Sequence, residues 1–236
     1  MLIVSEIGLN HLGDVKTAND MVNKLLDTNT EAITFQIREE GYYDNREPHH
    51  IKLPDEFYLE ISKVIKNKNK KFGITIAGTD ENLQDDLVQF LFKNCNLDFF
   101  KILSYSCSQY KFIENICNLG IPVYLSLGLS DKNNISYLKN IFPKLIFIYT
   151  NLSRNIEDCN LYKINEIKNI NDNVAYGLHC DDPIICYISL AFNIHSIFFY
   201  VKTDSEKKYP DNQGLIINSI DNFIYKLKLY QKSIKN

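Results

Sequence analysis

The sequence lacks the long apolar stretches that membrane spans and secretory signal peptides need. Ahead of the polar pair Ser5-Glu6, only Leu2, Ile3 and Val4 form an apolar run, and no basic residues flank it. A membrane-spanning helix needs about 20 consecutive apolar residues, and a signal peptide needs a basic region followed by an apolar one. The sequence therefore predicts a cytoplasmic protein with no membrane partner.

The sequence also lacks Cys-x-x-Cys pairs, although it contains six cysteines. These are Cys95, Cys107, Cys117, Cys159, Cys180 and Cys186. Several of them lie inside apolar stretches, which is typical of buried free thiols. We therefore expect no disulfide framework.

No strong excess of one charge sign is present. The chain has 26 basic and 29 acidic residues, which gives a formal net charge of −3. Its densest basic run, 63–71, closes a predicted helix, where cations suit the helix dipole and solvent. We therefore expect no nucleic-acid partner.

What the sequence does contain is a regular alternation of two apolar patterns over 236 residues, of which 45% are hydrophobic. That length fits one large domain, 1–236, better than two small ones. Short apolar runs predict strands at 2–9, 31–37, 72–76, 98–103, 122–127, 145–150, 173–178 and 195–201. Helical periodicity follows each strand, at 17–26, from 55 onward, and at 81–93, 110–118, 135–141, 160–170, 183–192 and 215–231.

Eight strands that alternate with eight helices predict an α/β protein, a (β/α)8 TIM barrel with parallel strands. The alternative is an open doubly wound sheet. Such a sheet usually has a G-x-G-x-x-G turn after its first strand, and the turn between Gly8 and Gly13 does not have this form. In a barrel, polar residues at the carboxyl ends of the strands meet on one rim.

Polar residues do occur at the ends of most predicted strands, and together they would form a charged, concave site. In strand order they are Glu6, Asn10 and His11; Gln36 and Arg38; Lys101 and Ser104; Ser126; Thr150 and Asn151; His179; Lys202; and Asp211 in the last loop. Segment 41–50, which ends in His49-His50, is too long and polar for an ordinary connection. It is typical of a lid or substrate loop.

The residues Glu6–Gly13 spell Glu-Ile-Gly-x-Asn-His-x-Gly, which resembles the opening motif of the sialic acid synthase family. Members of that family join phosphoenolpyruvate to an open-chain amino sugar. Similar motifs recur in the same order at Phe35-Gln36, 100–104, 125–128, 149–151, 176–179 and 209–211. The family's C-terminal antifreeze-like domain has no counterpart in the sequence, so we expect the barrel domain alone.

The resemblance implies phosphoenolpyruvate and an amino-sugar aldehyde as small-molecule substrates. We assign catalytic roles to Glu6, His11 and Asp211. The predicted substrate-binding residues are Asn10, Gln36, Arg38, Lys101, Ser104, Ser126, Thr150 and Asn151. The family also holds a divalent metal, manganese or magnesium, with two histidines, and His179 matches the first of them.

The sequence departs from the family at several other positions of the expected site. Tyr200 falls at the second histidine, and a neutral phenol is a poor ligand for such a metal. Thr34 replaces a lysine near the phosphate, Ile76 replaces a threonine, and Ser106 replaces a glutamate. These changes weaken the expectation of a metal site.

Three functions therefore stay open at this point. The first is an active synthase, the second is a non-catalytic paralogue that keeps a ligand pocket, and the third is an aldolase in which Lys101 forms a Schiff base. The oligomeric state also stays open, and a homodimer is one of the alternatives.

Overall fold

The computed structural model describes residues 1–44, 51–204 and 207–235. Eight parallel strands form a closed barrel, because β1 pairs with β8 from Leu2 opposite Ser196 to Glu6 opposite Tyr200. The barrel strands are β1 (Leu2–Gly8), β2 (Ala32–Ile37), β3 (Lys71–Ile76), β4 (Phe99–Ile102), β5 (Val123–Ser126), β6 (Ile146–Tyr149), β7 (Val174–Leu178) and β8 (Ser196–Lys202). Each begins and ends within one residue of its predicted bounds, and the predicted (β/α)8 barrel is confirmed.

Helices connect the strands on the outside of the barrel. They are α1 (Val15–Leu26), α2 (Glu40–Asp44), α3 (Asp55–Asn67), α4 (Asp85–Asn94), α5 (Tyr110–Cys117), α6 (Lys132–Ile141), α7 (Lys163–Lys168), α8 (Ile184–Ser189) and α9 (Ile220–Lys235). None of the helices in the described ranges is both long and apolar enough to cross a membrane.

The first helix shows how the sequence determines where a helix begins and which face it buries. The Asp14 side chain accepts a hydrogen bond from the backbone N–H of Thr17 at 2.9 Å, which caps the amino end of α1. Its buried face repeats at helical spacing and consists of Ala18, Met21, Val22 and Leu25. Burial of that stripe against the sheet holds α1 beside β1, so that the turn between them stays at the carboxyl rim.

Two parts of the chain differ from the sequence prediction. The loop after β2 contains the short helix α2, while the rest of the predicted lid, including His49 and His50, lies outside the described residues. The helix predicted to begin at residue 215 begins at Ile220, because Leu215–Ile216 form a short strand, β9, beside β8. Gly214 permits this pairing, since a Cβ there would lie 3.0 Å from the carbonyl carbon of Val201.

An apolar layer fills the barrel interior on the amino-terminal side. It consists of Val4, Ala32, Phe99, Tyr124, Ile148, Ala175 and Phe198. Phe99 can enter this layer because Gly73, on the neighbouring strand β3, has no side chain. With this side filled, the space for a ligand lies at the carboxyl ends of the strands.

We predict that Gly73→Ala destabilises the barrel. An added Cβ would lie 2.2 Å from two atoms of the Phe99 ring, so that the buried ring must move. Overpacking of this kind typically costs about 1–3 kcal/mol of unfolding free energy. The measurement is urea unfolding followed by circular dichroism.

Gly41→Ala is the matched control, because nothing lies within 4 Å of a Cβ at that position. We expect its unfolding free energy to equal or slightly exceed that of the wild type. Equal stability of the Gly73 and Gly41 variants would contradict this account of the interior packing.

Candidate functional site

A cavity of about 380 Å³ opens at the carboxyl ends of the barrel strands. Seven of the predicted site residues line it: Gln36, Arg38, Lys101, Ser104, Ser126, His179 and Asp211. They come from the strands or strand ends of β2, β4, β5 and β7 and from the loop after β8. The structure thus brings together side chains that are far apart in the sequence.

A buried ion pair crosses the floor of this cavity. The Lys101 ammonium on β4 donates a hydrogen bond to a carboxylate oxygen of Glu6 on β1, and each side chain is only 3% exposed. The Lys101 Nζ also lies 5.1 Å from the centre of the Phe198 ring. Since a lone buried charge is costly, each partner makes the other tolerable inside the barrel.

The loop that carries Asp211 is fixed by Asn10. The Asn10 amide donates to the carbonyl oxygens of Val201 at 2.8 Å and Asp211 at 3.1 Å, and its oxygen accepts from the Asp211 backbone N–H at 2.9 Å. Asn10 is fully buried and does not line the cavity. The structure therefore shows it holding the Asp211 loop in place.

The Asp211 carboxyl faces inward beside an acidic neighbour. The pKa of Asp211 is raised to about 6. Burial is the main cause and the negative charge of Glu6 adds to it, whereas the hydrogen bond from the Leu9 backbone N–H and the charges of Lys101 and Arg38 oppose the rise. A carboxyl group with such a pKa changes its charge close to neutral pH. Asp211 can therefore accept or donate a proton in the cavity.

The absence of a side chain at Gly8 leaves room for the Asp211 and Tyr200 side chains at the end of β1. Its φ is +59°, which favours glycine, and a Cβ there would lie 2.5 Å from Oδ2 of Asp211 and 2.7 Å from Cε1 of Tyr200. A larger residue at this position would displace both side chains. The glycine of the opening motif thus shapes the cavity wall.

His179 and Tyr200 form the wall between β7 and β8. Their rings meet edge to face with 5.5 Å between centroids. Burial, aided by the charges of Lys101 and Arg154, lowers the pKa of His179 to about 4, so that the imidazole is neutral at pH 7. The Tyr200 hydroxyl donates to the side-chain oxygen of Gln36 at 3.3 Å.

These donors do not fit a two-histidine metal site. Tyr200 presents a phenol beside His179, and the nearby carboxylate of Glu6 is engaged by Lys101. Within the described ranges, no three His, Cys, Asp or Glu side chains are placed so that they could share an ion. One imidazole and one neutral phenol form a weak donor set for manganese or magnesium.

Arg38 lies at the mouth of the cavity between two tyrosines. Its guanidinium carbon is 4.2 Å from the centre of the Tyr42 ring and 5.4 Å from that of Tyr105. Its Nε and Nη2 donate to the two carboxylate oxygens of Glu39 at 2.9 and 2.8 Å. This pairing and the stacking fix the orientation of the Arg38 side chain.

His11 is not brought to the cavity. Leu12 and Gly13, with φ of 57° and 74°, turn the chain after β1, and the His11 ring packs 6.0 Å from Phe35. Its Nδ1 accepts from the Gly13 backbone N–H at 3.0 Å, while its buried Nε2 has no hydrogen-bond partner among the described residues. Burial lowers its pKa to about 4.

Thr150, Asn151 and Lys202 also lie away from the central cavity. The Thr150 hydroxyl donates to the Gly177 carbonyl oxygen at 2.9 Å, and Asn151 joins it in the lining of a neighbouring groove of about 360 Å³. The Lys202 ammonium donates to the carbonyl oxygen of Asn212 at 2.7 Å. In each case, a position at a strand end did not determine which way the side chain points.

Two of the residues that depart from the family pattern, Thr34 and Ser106, form hydrogen bonds with neighbouring residues. The Thr34 hydroxyl is fully buried, 3.2 Å from that of Thr75, and does not reach the cavity. The Ser106 hydroxyl donates to the Gly78 carbonyl oxygen at 2.7 Å and accepts from its N–H at 3.0 Å. At the mouth of the cavity, Tyr42 belongs to the predicted substrate loop, whereas sequence reasoning missed Tyr105, because the short helical turn that carries it shows no apolar periodicity.

We predict that the Asp211 carboxyl makes stability depend on pH. Because its folded pKa is raised from 3.8 to about 6, the contribution of Asp211 to stability is greatest below pH 3.8 and is lost as the pH rises through 6. Asp211→Asn should therefore gain unfolding free energy relative to the wild type between pH 4 and pH 7.5, by up to about 3 kcal/mol.

Urea unfolding at pH 4 and at pH 7.5 measures the difference in unfolding free energy between the variant and the wild type. The lowered pKa values of His11 and His179 act in the opposite direction over the same range and cancel in that difference. Asp172→Asn, at an exposed position, is the control. A pH-independent difference for Asp211→Asn would show that the carboxyl does not titrate in this way.

The sequence of the chain is similar to that of known proteins. The NeuB family matches residues 13–214. An uncharacterized protein of Methanocaldococcus jannaschii is 27% identical over 224 residues, which cover 89% of this chain and 64% of that protein. The N-acetylneuraminate-9-phosphate synthase of Mus musculus is 25% identical over 198 residues, which cover 74% of this chain and 54% of the mouse protein. The chain thus spans only part of the length of these relatives.

Solved structures share the fold. The crystal structure of the N-acetylneuraminic acid synthetase from Leptospira borgpetersenii, in complex with citrate, has a TM-score of 0.85 at 21% identity, and the alignment covers 100% of this chain and 85% of that one. The family match extends over most of the chain and includes the cavity residues from Gln36 to Asp211. The resemblance seen in the sequence motifs is confirmed, and the chain belongs to the NeuB family.

Proposed function

We propose that this protein is a synthase that joins phosphoenolpyruvate to an amino-sugar aldehyde and releases inorganic phosphate. The observation that carries the proposal is the convergence of Lys101, Ser104, Ser126 and Arg38 with Asp211 in one cavity at the carboxyl ends of the barrel strands. Membership of a family whose relatives include sialic acid synthases supports the same assignment.

The cavity offers groups suited to a donor that carries a carboxylate and a phosphate. The Lys101 ammonium has three N–H donors, of which Glu6 engages one, so that others are available to an anion. Ser104 and Ser126 line the same cavity and add hydroxyl groups, and Arg38 adds a second cation at its mouth. Charge-assisted hydrogen bonds of this kind are the strong contacts in anion recognition.

The acidic residues suit the chemistry at the acceptor. Asp211, with its pKa of about 6, can exchange a proton near neutral pH, and Glu6 lies beside it at the end of β1. His179 stays neutral and can hydrogen-bond to a hydroxyl or carbonyl group of the sugar. A tightly held divalent metal is not part of this proposal, because the donors around His179 do not suit one.

A second candidate is a non-catalytic protein that binds a related anion. Two replacements favour it. Tyr200 stands where the family has its second histidine, and Thr34, which is fully buried and does not line the cavity, stands where the family has a lysine. Phosphate release separates the synthase from the binding protein.

The aldolase alternative is weakened by the buried ion pair, since a Schiff base requires a neutral amine and Lys101 faces the Glu6 carboxylate.

The proposal predicts that Lys101→Gln, built together with Glu6→Gln, weakens phosphoenolpyruvate binding by roughly 100-fold, since a charge-assisted contact contributes about 3 kcal/mol. The double variant avoids leaving one member of the buried pair without its partner. Titration calorimetry with phosphoenolpyruvate measures the affinity, and a phosphate-release assay with N-acetylmannosamine measures turnover.

Lys68→Gln is the control, because Lys68 is exposed at the end of α3, away from the cavity. Equal losses in both variants would mean that the anion binds elsewhere. Binding of phosphoenolpyruvate to the wild type without any phosphate release would favour the non-catalytic candidate, and absence of binding would contradict both.

A further inference from the structure

The position of Tyr200 points to a catalytic role that a metal would otherwise fill, and this inference rests on the proposed synthase function. We propose that the Tyr200 hydroxyl donates a hydrogen bond, and then its proton, to the carbonyl oxygen of the acceptor aldehyde. An aldehyde attacked by a carbon nucleophile develops negative charge on its oxygen, and a placed donor lowers that barrier.

Tyr200 lies in the middle of the inner polar residues. On β8 it is directly opposite Glu6 of β1, and its ring edge reaches the space that the missing side chain of Gly8 leaves open. The Lys101 Nζ is 5.8 Å from its ring centre, and the His179 ring contacts it edge to face. Tyr200 is therefore next to both the proposed anion site and the proposed acid–base residues.

The hydroxyl of Tyr200 has a weak partner that a substrate can replace. Its hydrogen bond to Gln36 measures 3.3 Å, which is long for an O–H···O bond. Both Tyr200 and Gln36 line the cavity, so an acceptor oxygen that enters there can take the place of the Gln36 oxygen. The Gln36 amide is then free to bind another polar atom of the sugar.

The charge state of the phenol suits a donor. Burial raises the pKa of Tyr200 well above its usual value, and the charges of Asp211 and Glu6 raise it further. The hydroxyl is therefore protonated throughout the pH range in which Asp211 titrates. An alkoxide is a stronger base than a phenolate, so transfer of the proton to the newly formed alkoxide is favourable.

The step balances without a metal or redox partner. C3 of phosphoenolpyruvate forms a bond to the aldehyde carbon, the carbonyl π electrons move to oxygen, and that oxygen takes the Tyr200 proton. Water then adds to C2 of the former donor, and inorganic phosphate leaves. One of the two water protons restores the Tyr200 hydroxyl and the other leaves with hydrogen phosphate.

The test compares Tyr200→Phe, Tyr200→His and the wild type by phosphate release, phosphoenolpyruvate titration and manganese binding. We expect the wild type to turn over equally well with and without a chelator. Tyr200→Phe should lower kcat by about 100-fold or more and change the phosphoenolpyruvate affinity by less than about threefold. Tyr58→Phe is the control, because Tyr58 is buried on α3 against Phe35 and outside the cavity.

Tyr200→His supplies a readout that a purely structural role would not give. A second imidazole beside His179 should raise manganese affinity, measured by electron paramagnetic resonance, and any turnover of this variant should become sensitive to the chelator. A structural role would lower turnover in both variants without changing its response to metal.

The outcomes are distinguishable. Wild-type turnover that the chelator abolishes, or a Tyr200→Phe kcat within threefold of the wild type, would overturn the role of Tyr200 and leave the proposed synthase function intact. Binding of phosphoenolpyruvate without turnover in the wild type would overturn the proposed function and this inference with it.

Discussion

The buried pair of Lys101 and Glu6 is the interaction on which the rest of the site depends. Both side chains point into the barrel from strands on different sides, and each is almost completely removed from solvent. Neither charge would be tolerated there alone. The pair thus places a cation at the floor of the cavity and leaves an acidic neighbour for Asp211, so that one contact sets the charge pattern of the whole site.

A second constraint acts on the loop after β8. Asn10 is reciprocally hydrogen-bonded to the backbone of Asp211, and Asp211 in turn accepts a hydrogen bond from the Leu9 backbone N–H. These contacts join the turn after β1 to a loop about two hundred residues later in the chain. Asp211 is therefore held through both its backbone and its carboxyl at the point where the closed barrel brings β1 and β8 together.

The barrel itself followed from the sequence, because its strands are short apolar runs separated by stretches of helical periodicity. That signal is strong enough to place each strand to within one residue. The direction of a side chain beyond the strand end depends on turn geometry, which periodicity does not encode. His11 illustrates this limit, since the left-handed residues that follow it turn its ring toward Phe35 and away from the cavity. Thr150 likewise bonds to the neighbouring strand and does not line the cavity.

The electrostatics of the site agree with the replacement of a histidine by Tyr200. In this chain the pKa of Asp211 is raised, chiefly by burial and then by Glu6, and the positive charge nearest to Glu6 is the ammonium of Lys101. The carboxylates are thus balanced by side chains of the barrel itself. A neutral phenol fits this balance, because it offers a proton to a developing alkoxide without adding a fixed charge beside Lys101 and Asp211.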